Sequence, residues 1–417
     1  MNITDLPPEL IEQILLELDP LDFAAFAQSS RSFYDFVYKS PDAHIWRELY
    51  LAQPLDDPRT CLDTLGFPLE DIDWKWELQR VTRARTVVNF IEKCRPHERC
   101  GVLQTLIDLV TRIPPSPSVL SDQLSMNLLW VAALVRGGAV FDHTTWEPSP
   151  EEQQLRAKLH TYYGVTPSDA KTASKIESRA YVYNMRNYKW DNEFGPFMMD
   201  GSGRVNWLHV RAIHHCMSLH LVEMTEEEEI VFTIFPMSLP YCQSILPGGA
   251  DVGGVQDWAG IEGEWVVSFC FCDHRELLVY NNFNLSEDDP LDASVFANPE
   301  FIEVFRSITV HMRVLSTEPN PAYPTRPRIY FAGEIETGSE HVMNGWVGIT
   351  DEGVVRWHFV SGEEGHPIWS SEGVQVGGIR SPYGVLGAWT TVFHDAHDPI
   401  GPFWMRRVFK DQDARPT

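Results

Sequence analysis

An α+β fold is predicted for this 417-residue chain, with helices over the first half and an antiparallel β-barrel or sandwich over the second. Two observations carry the prediction. Up to about Met224 the apolar residues recur at spacings of three and four, the period of a helix face. Beyond about Gly254, strand-like runs alternate with Gly, Asp and Pro turns, with one helix-like segment among them. Strands without intervening helices pair antiparallel, and about eight or nine of them favour a barrel or sandwich. Three units are expected: a compact helical module over 1–51, a helical linker domain over 52–230, and the β domain over 255–412.

Composition narrows the function classes. Hydrophobic residues at 43% and charged residues at 22% suit a packed soluble core. Thirty-three Lys and Arg against 59 Asp and Glu give a net charge of −26. That balance argues against nucleic acid and against an anionic membrane surface as partners, since both need clustered cations. The cysteine count is seven, with no C-x-x-C pair, which suits a reducing compartment. Cys270 and Cys272 fall on one face of an expected strand and read as small buried thiols. Met1–Thr4 leads straight into an acidic amphipathic stretch, without the pattern of a signal peptide. The longest apolar run, Leu128–Val135, is too short to span a bilayer. Cytoplasm or nucleus is the expected location.

The elements follow in order. Leu10, Ile11, Ile14, Leu15 and Leu18 paint one broad apolar stripe on a first helix. Pro7-Pro8 suits its start, Pro20 stops it, and Asp19 or Asp22 stands ready to cap the next. Phe23, Phe26 and Phe33 continue on a second helix, Trp46 and Leu49 on a third. A module of about fifty residues buries little apolar surface alone, so so wide a stripe invites a partner. Val87–Cys94, Val102–Ile113 and Leu124–Val135 read as helices, the last two separated by a proline-rich break. Ser149 is expected to cap a helix that has Pro150 first and Glu151 and Glu152 at its positive end. Val205–Met224 is a further helix.

In the second half, strands are expected over Glu264–Cys272, Glu276–Asn282, Ser307–Leu315 and Arg328–Glu336. A hairpin turning at Asp351-Glu352-Gly353 follows, and the last strands lie within 384–395 and 401–409. Pro290–Phe305 is the helix-like interruption.

Leu6-Pro7, Glu9-Leu10, Ile14, Leu18, Phe23, Phe26, Arg31, Phe33-Tyr34, Trp46 and Leu49 together resemble the F-box pattern. That pattern runs Leu-Pro, an acidic–Leu pair, apolar residues at helical intervals, a basic position, an aromatic, then a late Trp and Leu. Phe33 stands where the family often has Trp, and Ser29-Ser30 where it often has Val-Cys. The resemblance covers about an eighth of the chain. It implies a non-catalytic adaptor without cofactor or metal. The F-box binds the Skp-type adaptor of an SCF ubiquitin ligase and, through it, a cullin scaffold; the rest of the chain recruits a protein substrate. The Skp-binding residues implied are Leu6, Pro7, Leu10, Ile14, Leu15, Leu18, Phe23, Phe26, Trp46 and Leu49. The stretch from Glu372 to Arg407 looks like the tail of many fungal F-box proteins. Some F-box receptors carry a lipocalin-like barrel after a helical linker, and Gly263-Glu264-Trp265 echoes the Gly-x-Trp entry strand of lipocalins. The alternative implied is a lipocalin-like small-ligand-binding protein with an F-box.

Other residue types are candidates for chemistry. His209, His214, His215, Cys216 and His220 crowd one helix, with Cys216 and His220 on one face. A zinc site would need more ligands and their outer partners, so ordinary core and surface histidines are the favoured reading. His394, Asp395, His397 and Asp398 are the types a metal site or a hydrolase uses. They fall where a polar loop between strands is expected, and the loop is favoured. Pro247–Gly254 is glycine-rich but lacks the Lys and Ser/Thr of a phosphate loop, and reads as a linker. Trp346, Trp357, Trp369, Trp389 and Trp404 read first as barrel core. Trp346 and Trp389 are also candidates for contact with substrate at a barrel mouth. Arg380 and Tyr383 complete that candidate set, on a loop expected at the open end. There Gly377, Gly378, Gly384 and Gly387 would allow close approach, and Arg380 would pair with a carboxylate of a peptide or of its own chain.

Overall fold

Four short helices build the first fifty residues, one more than the periodicity suggests. The computed structural model describes residues 6–39, 42–119, 121–142, 146–224, 233–247, 256–283, 289–336 and 341–409. Helix α1 (Pro8–Leu16) begins as the paired prolines imply, with Pro8 in the first turn, where a missing N–H costs nothing. Pro20 opens α2 (Pro20–Gln28), and the Asp19 side chain accepts from the Leu21 N–H. Phe33 is not on that helix. Ser30 takes an extended backbone and its hydroxyl accepts from the Phe33 N–H, which ends one helix and caps α3 (Arg31–Tyr38). Trp46 and Leu49 lie on α4 (His44–Leu51). The module closes around Leu15, Phe23, Ala27, Val37 and Leu49, and Phe23 meets Trp46 edge-on at 5.2 Å.

The middle of the chain is helical. Asp73 caps α5 (Trp74–Asn89), so the expected helix over Val87–Cys94 is really the end of a longer one. Phe90 leaves helical geometry there, and a single 3-10 turn, Ile91–Lys93, follows. Helices α6 (Arg99–Thr111), α7 (Met126–Leu134), α8 (Pro150–Tyr163), α9 (Thr172–Val182) and α10 (Trp207–Ser218) complete it. Ser149 caps α8 by accepting from the Glu152 N–H. α10 is buried almost throughout because α8 and α9 pack on one side of it and the barrel on the other. No helix among the described residues is long and apolar enough to cross a membrane. Most of the linker expected at Pro247–Gly254 lies outside the described residues.

Strand β1 (Gly263–Cys272) enters the barrel. The strand expected over Glu276–Asn282 is instead helix α11 (His274–Tyr280). The Asp273 carboxylate accepts from the Arg275 and Glu276 N–H groups, and that cap overrides the strand-forming side chains that follow. The helix expected over Pro290–Phe305 shrinks to a 3-10 turn, Ala293–Ala297, and its end joins β2 (Glu303–Glu318). Then come β3 (Arg328–Ile335), β4 (His341–Ile349), β5 (Val355–Glu363), β6 (His366–Gln375), β7 (Val385–Thr391) and β8 (Gly401–Arg407). Each strand pairs antiparallel with the next, and β8 returns to β1 with Phe403 opposite Phe269. The sheet is therefore a closed up-and-down barrel, not a sandwich, and closure leaves no edge strand.

Alternation along the strands separates two cores. Trp265, Val310, Phe331, Trp357 and Met405 fill the barrel interior. Cys270, Val374, Leu386 and Trp404 point outward and continue the core of the helices. Two ionic clusters tie barrel strands to the helical region, one at β2 and one at β5 and β6. Glu303 accepts from Arg179 (2.9 and 3.0 Å), from the Tyr183 hydroxyl (2.8 Å) and pairs with His220 (3.0 Å). Glu372 on β6 pairs with Arg356 (2.7 Å) and His358 (2.5 Å), while Arg356 reaches Glu193.

Candidate functional site

The residues expected at a docking face divide into two groups. Leu10 and Ile14, one turn apart on α1, are 45% and 43% exposed, and Pro7 beside them is exposed too. Leu6, Leu18 and Phe26 are half-buried. Leu15, Phe23, Trp46 and Leu49 are buried, with Phe23 and Trp46 lining a cavity of about 220 Å³ beside Leu21. The reason is size: a module this small must spend most of its apolar stripe on its own core. Leu21, 51% exposed at the start of α2, is an apolar surface residue that the helical stripe did not single out. Its only sequence signal is its place just after Pro20, off the periodic face.

The second candidate region is the barrel, and its two ends differ. At one end Trp258, Ile261, Ile379 and Leu65 close the interior. The Trp258 indole donates to the Pro327 carbonyl, and the Ile379 N–H donates to Thr64 of the helical region. The loop joining β6 to β7 belongs to this covered end. Arg380 and Tyr383 are therefore not at an open mouth. Tyr383 is buried, its hydroxyl donating to the Thr161 carbonyl of α8 at 2.7 Å. Arg380 donates to the backbone carbonyls of Asp257 and Trp258, and burial lowers its pKa. The glycines of this loop do permit close approach, but of the chain's own backbone: a Cβ on Gly377 would lie 2.8 Å from the Cys242 carbonyl oxygen.

The other end opens into a cavity of about 610 Å³. Phe359 and Phe403, edge to face at 5.3 Å, are among its lining. Phe403 can lie so deep because Gly387 faces it, where a Cβ would come within 2.5 Å of the ring. Trp369 and Trp389 line the cavity with their rings perpendicular at 5.2 Å. Of the four expected substrate contacts, Trp389 alone lines this space. Trp346 is on the outer wall, between Arg328 and Arg356 and stacked on His358. Trp357 is barrel core, and Trp404 faces the helices, where its indole donates to the Tyr383 carbonyl.

These two features, an exposed apolar pair on a four-helix module and a barrel open at one end, frame the family comparison. The F-box domain family model matches residues 3–42. The chain carries an F-box domain. F-box domains generally bind Skp-type adaptors within SCF ubiquitin ligases, and F-box proteins are typically non-enzymatic adaptors. The match ends before α4, although Trp46 and Leu49 of that helix complete the F-box core. Comparison with curated proteins and with solved structures returns no match. The F-box is fixed to the rest of the chain: α2 and α4 pack on α5, and Arg85 pairs with Asp19 at 2.8 Å.

The histidine groups are engaged separately. His209 bonds the Tyr188 hydroxyl, His214 the Met237 carbonyl and His215 the Asp169 carbonyl, all inside the helical core. His394 stacks on Phe194 at 4.0 Å, His397 bonds the Phe283 carbonyl, and Asp398 accepts from Thr391 and from the Asp395 N–H. Among the described residues, one group of metal-ligand types lies within 4.8 Å: His220, Cys270 and Glu303. Glu303 there already accepts from Arg179 and Tyr183, so a cation would compete with a guanidinium.

Proposed function

We propose that this F-box protein is the substrate-recruiting subunit of an SCF-type (Skp–cullin–F-box) ubiquitin ligase, working in the cytoplasm or nucleus. The observation that carries the reading is the exposed Leu10 and Ile14 pair within the F-box. Exposed apolar side chains grouped on one face mark a protein-binding surface. Ubiquitin transfer is the work of the other subunits, and the chain contributes no catalytic group. A protein substrate is recruited by the region beyond the F-box. The test is affinity capture from cells with the proteasome blocked, comparing wild type with Leu10→Asp, Ile14→Asp. Wild type should bring down the Skp adaptor, the cullin and ubiquitin-bearing proteins; the variant should keep substrates but lose adaptor and cullin. Adaptor capture that survives the variant would refute the reading.

A further inference from the structure

A separate cavity of about 410 Å³ opens between the segment that follows α9 and the loop joining β7 to β8. Three rings line it. His394 is stacked on Phe194 with centroids 4.0 Å apart. Trp190 stands nearly perpendicular to both, 5.2 Å from His394 and 5.0 Å from Phe194. Trp190 is 72% exposed, the most of any large apolar residue among the described residues, and Phe393, just before His394, is 69% exposed. The corner is held by its surroundings. Glu193, Phe194 and His394 have left-handed backbone, with φ 51°, 58° and 53°. Residues with side chains keep that conformation only where neighbours enforce it, and it collects at binding sites. Glu193 is fixed by Arg356 of β5 at 2.7 Å. Asn192 ends the 3-10 turn that carries Trp190, accepting from the Lys189 N–H and donating to the Asn187 carbonyl.

Carboxylates complete the lining: Asp191, Asp395 and Asp398. Asp398 is set in place by the Thr391 hydroxyl and the Asp395 N–H. Asp191 and Asp395 are exposed, and among the described residues no ion pair holds either. Arg186 and Lys189 line the cavity too, and both already have partners. An aromatic face attracts a cation through its ring quadrupole, and a carboxylate beside it adds direct attraction. An anion would meet three carboxylates in a chain at −26. A purely apolar group would strip water from those carboxylates and return no partner. The His394 Nδ1 is buried without a hydrogen-bond partner among the described residues. Burial lowers the pKa of that imidazole, so it is neutral at physiological pH and adds no competing positive charge. The exposed Trp190 and Phe393 offer further apolar surface to the residues that flank a cationic side chain in a protein; a free amine has no such flanks.

We propose that this cavity docks an arginine or lysine side chain on an exposed segment of a protein substrate. The proposal rests on the substrate-recruiting reading above and names the site and the chemistry it selects. To test it, the full-length protein is titrated with acetyl-Gly-Leu-Arg-Leu-Gly-amide, followed by saturation-transfer NMR. Salt is held at about 0.15 M, where charges more than ~8 Å apart are largely screened. Saturable binding is expected, with the strongest transfer to the arginine side chain. Replacing arginine by citrulline, of the same shape but uncharged, should weaken binding about fivefold or more. Trp190→Ala, at an exposed position, should also weaken it about fivefold or more, with the melting temperature unchanged. Asp191→Asn with Asp395→Asn should weaken it about threefold. N-acetylarginine methylamide, which lacks the flanking residues, should bind more weakly than the peptide. Leu10→Asp with Ile14→Asp should leave peptide affinity unchanged while adaptor capture is lost, and Trp190→Ala should do the reverse. The docking site and the ligase reading therefore fail separately. No saturable binding, or equal binding of the citrulline peptide, would overturn the proposal. So would binding indifferent to Trp190→Ala, which marks general attraction to an acidic surface, or equal affinity for N-acetylarginine methylamide, which marks a site for free amines.

Discussion

Tyr383 joins barrel and helices through one residue. Its ring is buried, its hydroxyl donates to Thr161, and its carbonyl accepts from Trp404. Burial holds the hydroxyl well above the usual tyrosine pKa, so it stays a donor. Tyr383→Phe should cost about 1 kcal/mol, one net hydrogen bond. Tyr383→Ala should cost about 3–5 kcal/mol through the cavity it leaves. Thermal unfolding measures both, and an Ala variant as stable as wild type would contradict this packing. The cysteines follow the same logic of burial. Burial pushes the Cys61 and Cys272 thiols up to about 12, and Cys216, Cys242 and Cys270 are buried with them. Cys94 and Cys100 are only half-buried. A short pulse of thiol reagent on native protein should label Cys94 and Cys100 first. After denaturation without reductant all seven should react; mass spectrometry finding five would mean a disulfide.

At the level of elements, Ser30 is the clearest case of local chemistry overruling a pattern. The aromatic spacing of Phe23, Phe26 and Phe33 suggests one helix, but the Ser30 cap divides it. Ser30→Ala should cost about 1 kcal/mol and loosen the first turn of α3, visible as faster amide exchange there. Unchanged exchange would show that the cap is idle. The same kind of signal hid at Asp273. The residues after it have strand-forming side chains, yet a carboxylate before two free N–H groups started a helix. The other strands were legible because one face is buried, and alternation records that directly. Two things were not legible. A stripe as broad as that on α1 does not say which half faces inward, so Leu15 and Leu10 look alike in sequence. Nor does a loop reveal which end of a barrel it belongs to. The β6–β7 loop has binding-type residues, but it falls at the end covered by Leu65 and Trp258. The cavity lies at the opposite end, where the lining is serines among aromatic and aliphatic side chains.

For the whole molecule, buried ionisable groups tie stability to pH. Burial lowers His209 to about 3 and His215 to about 4, against an ordinary value of 6.5. Both are neutral in the fold, whereas the unfolded chain takes up protons below 6.5. Their contribution is therefore complete above pH 6.5 and erodes as pH falls toward 4. His215 alone should cost on the order of 3 kcal/mol by pH 4. Burial would raise Glu303, but His220 and Arg179 outweigh it and hold it below 4.5, so its support is lost only under more acid conditions. Protonating other carboxylates relieves the repulsion of a chain at −26, which opposes the trend. Melting temperatures of wild type and His215→Gln, measured from pH 7 to pH 4, separate the two effects. The difference between them should shrink or reverse as pH falls; a constant difference would contradict a neutral buried imidazole.

The central claim is that the F-box docks through side chains it leaves exposed, not through those that build its core. The most direct measurement is the dissociation constant of the full-length protein for a purified Skp-type adaptor, by titration calorimetry. Each exposed Leu or Ile lost from the contact is worth about 1.5–3 kcal/mol. Leu10→Asp with Ile14→Asp should weaken binding at least a hundredfold, with the melting temperature near that of wild type. Binding within a fewfold of wild type in that folded variant would contradict the account.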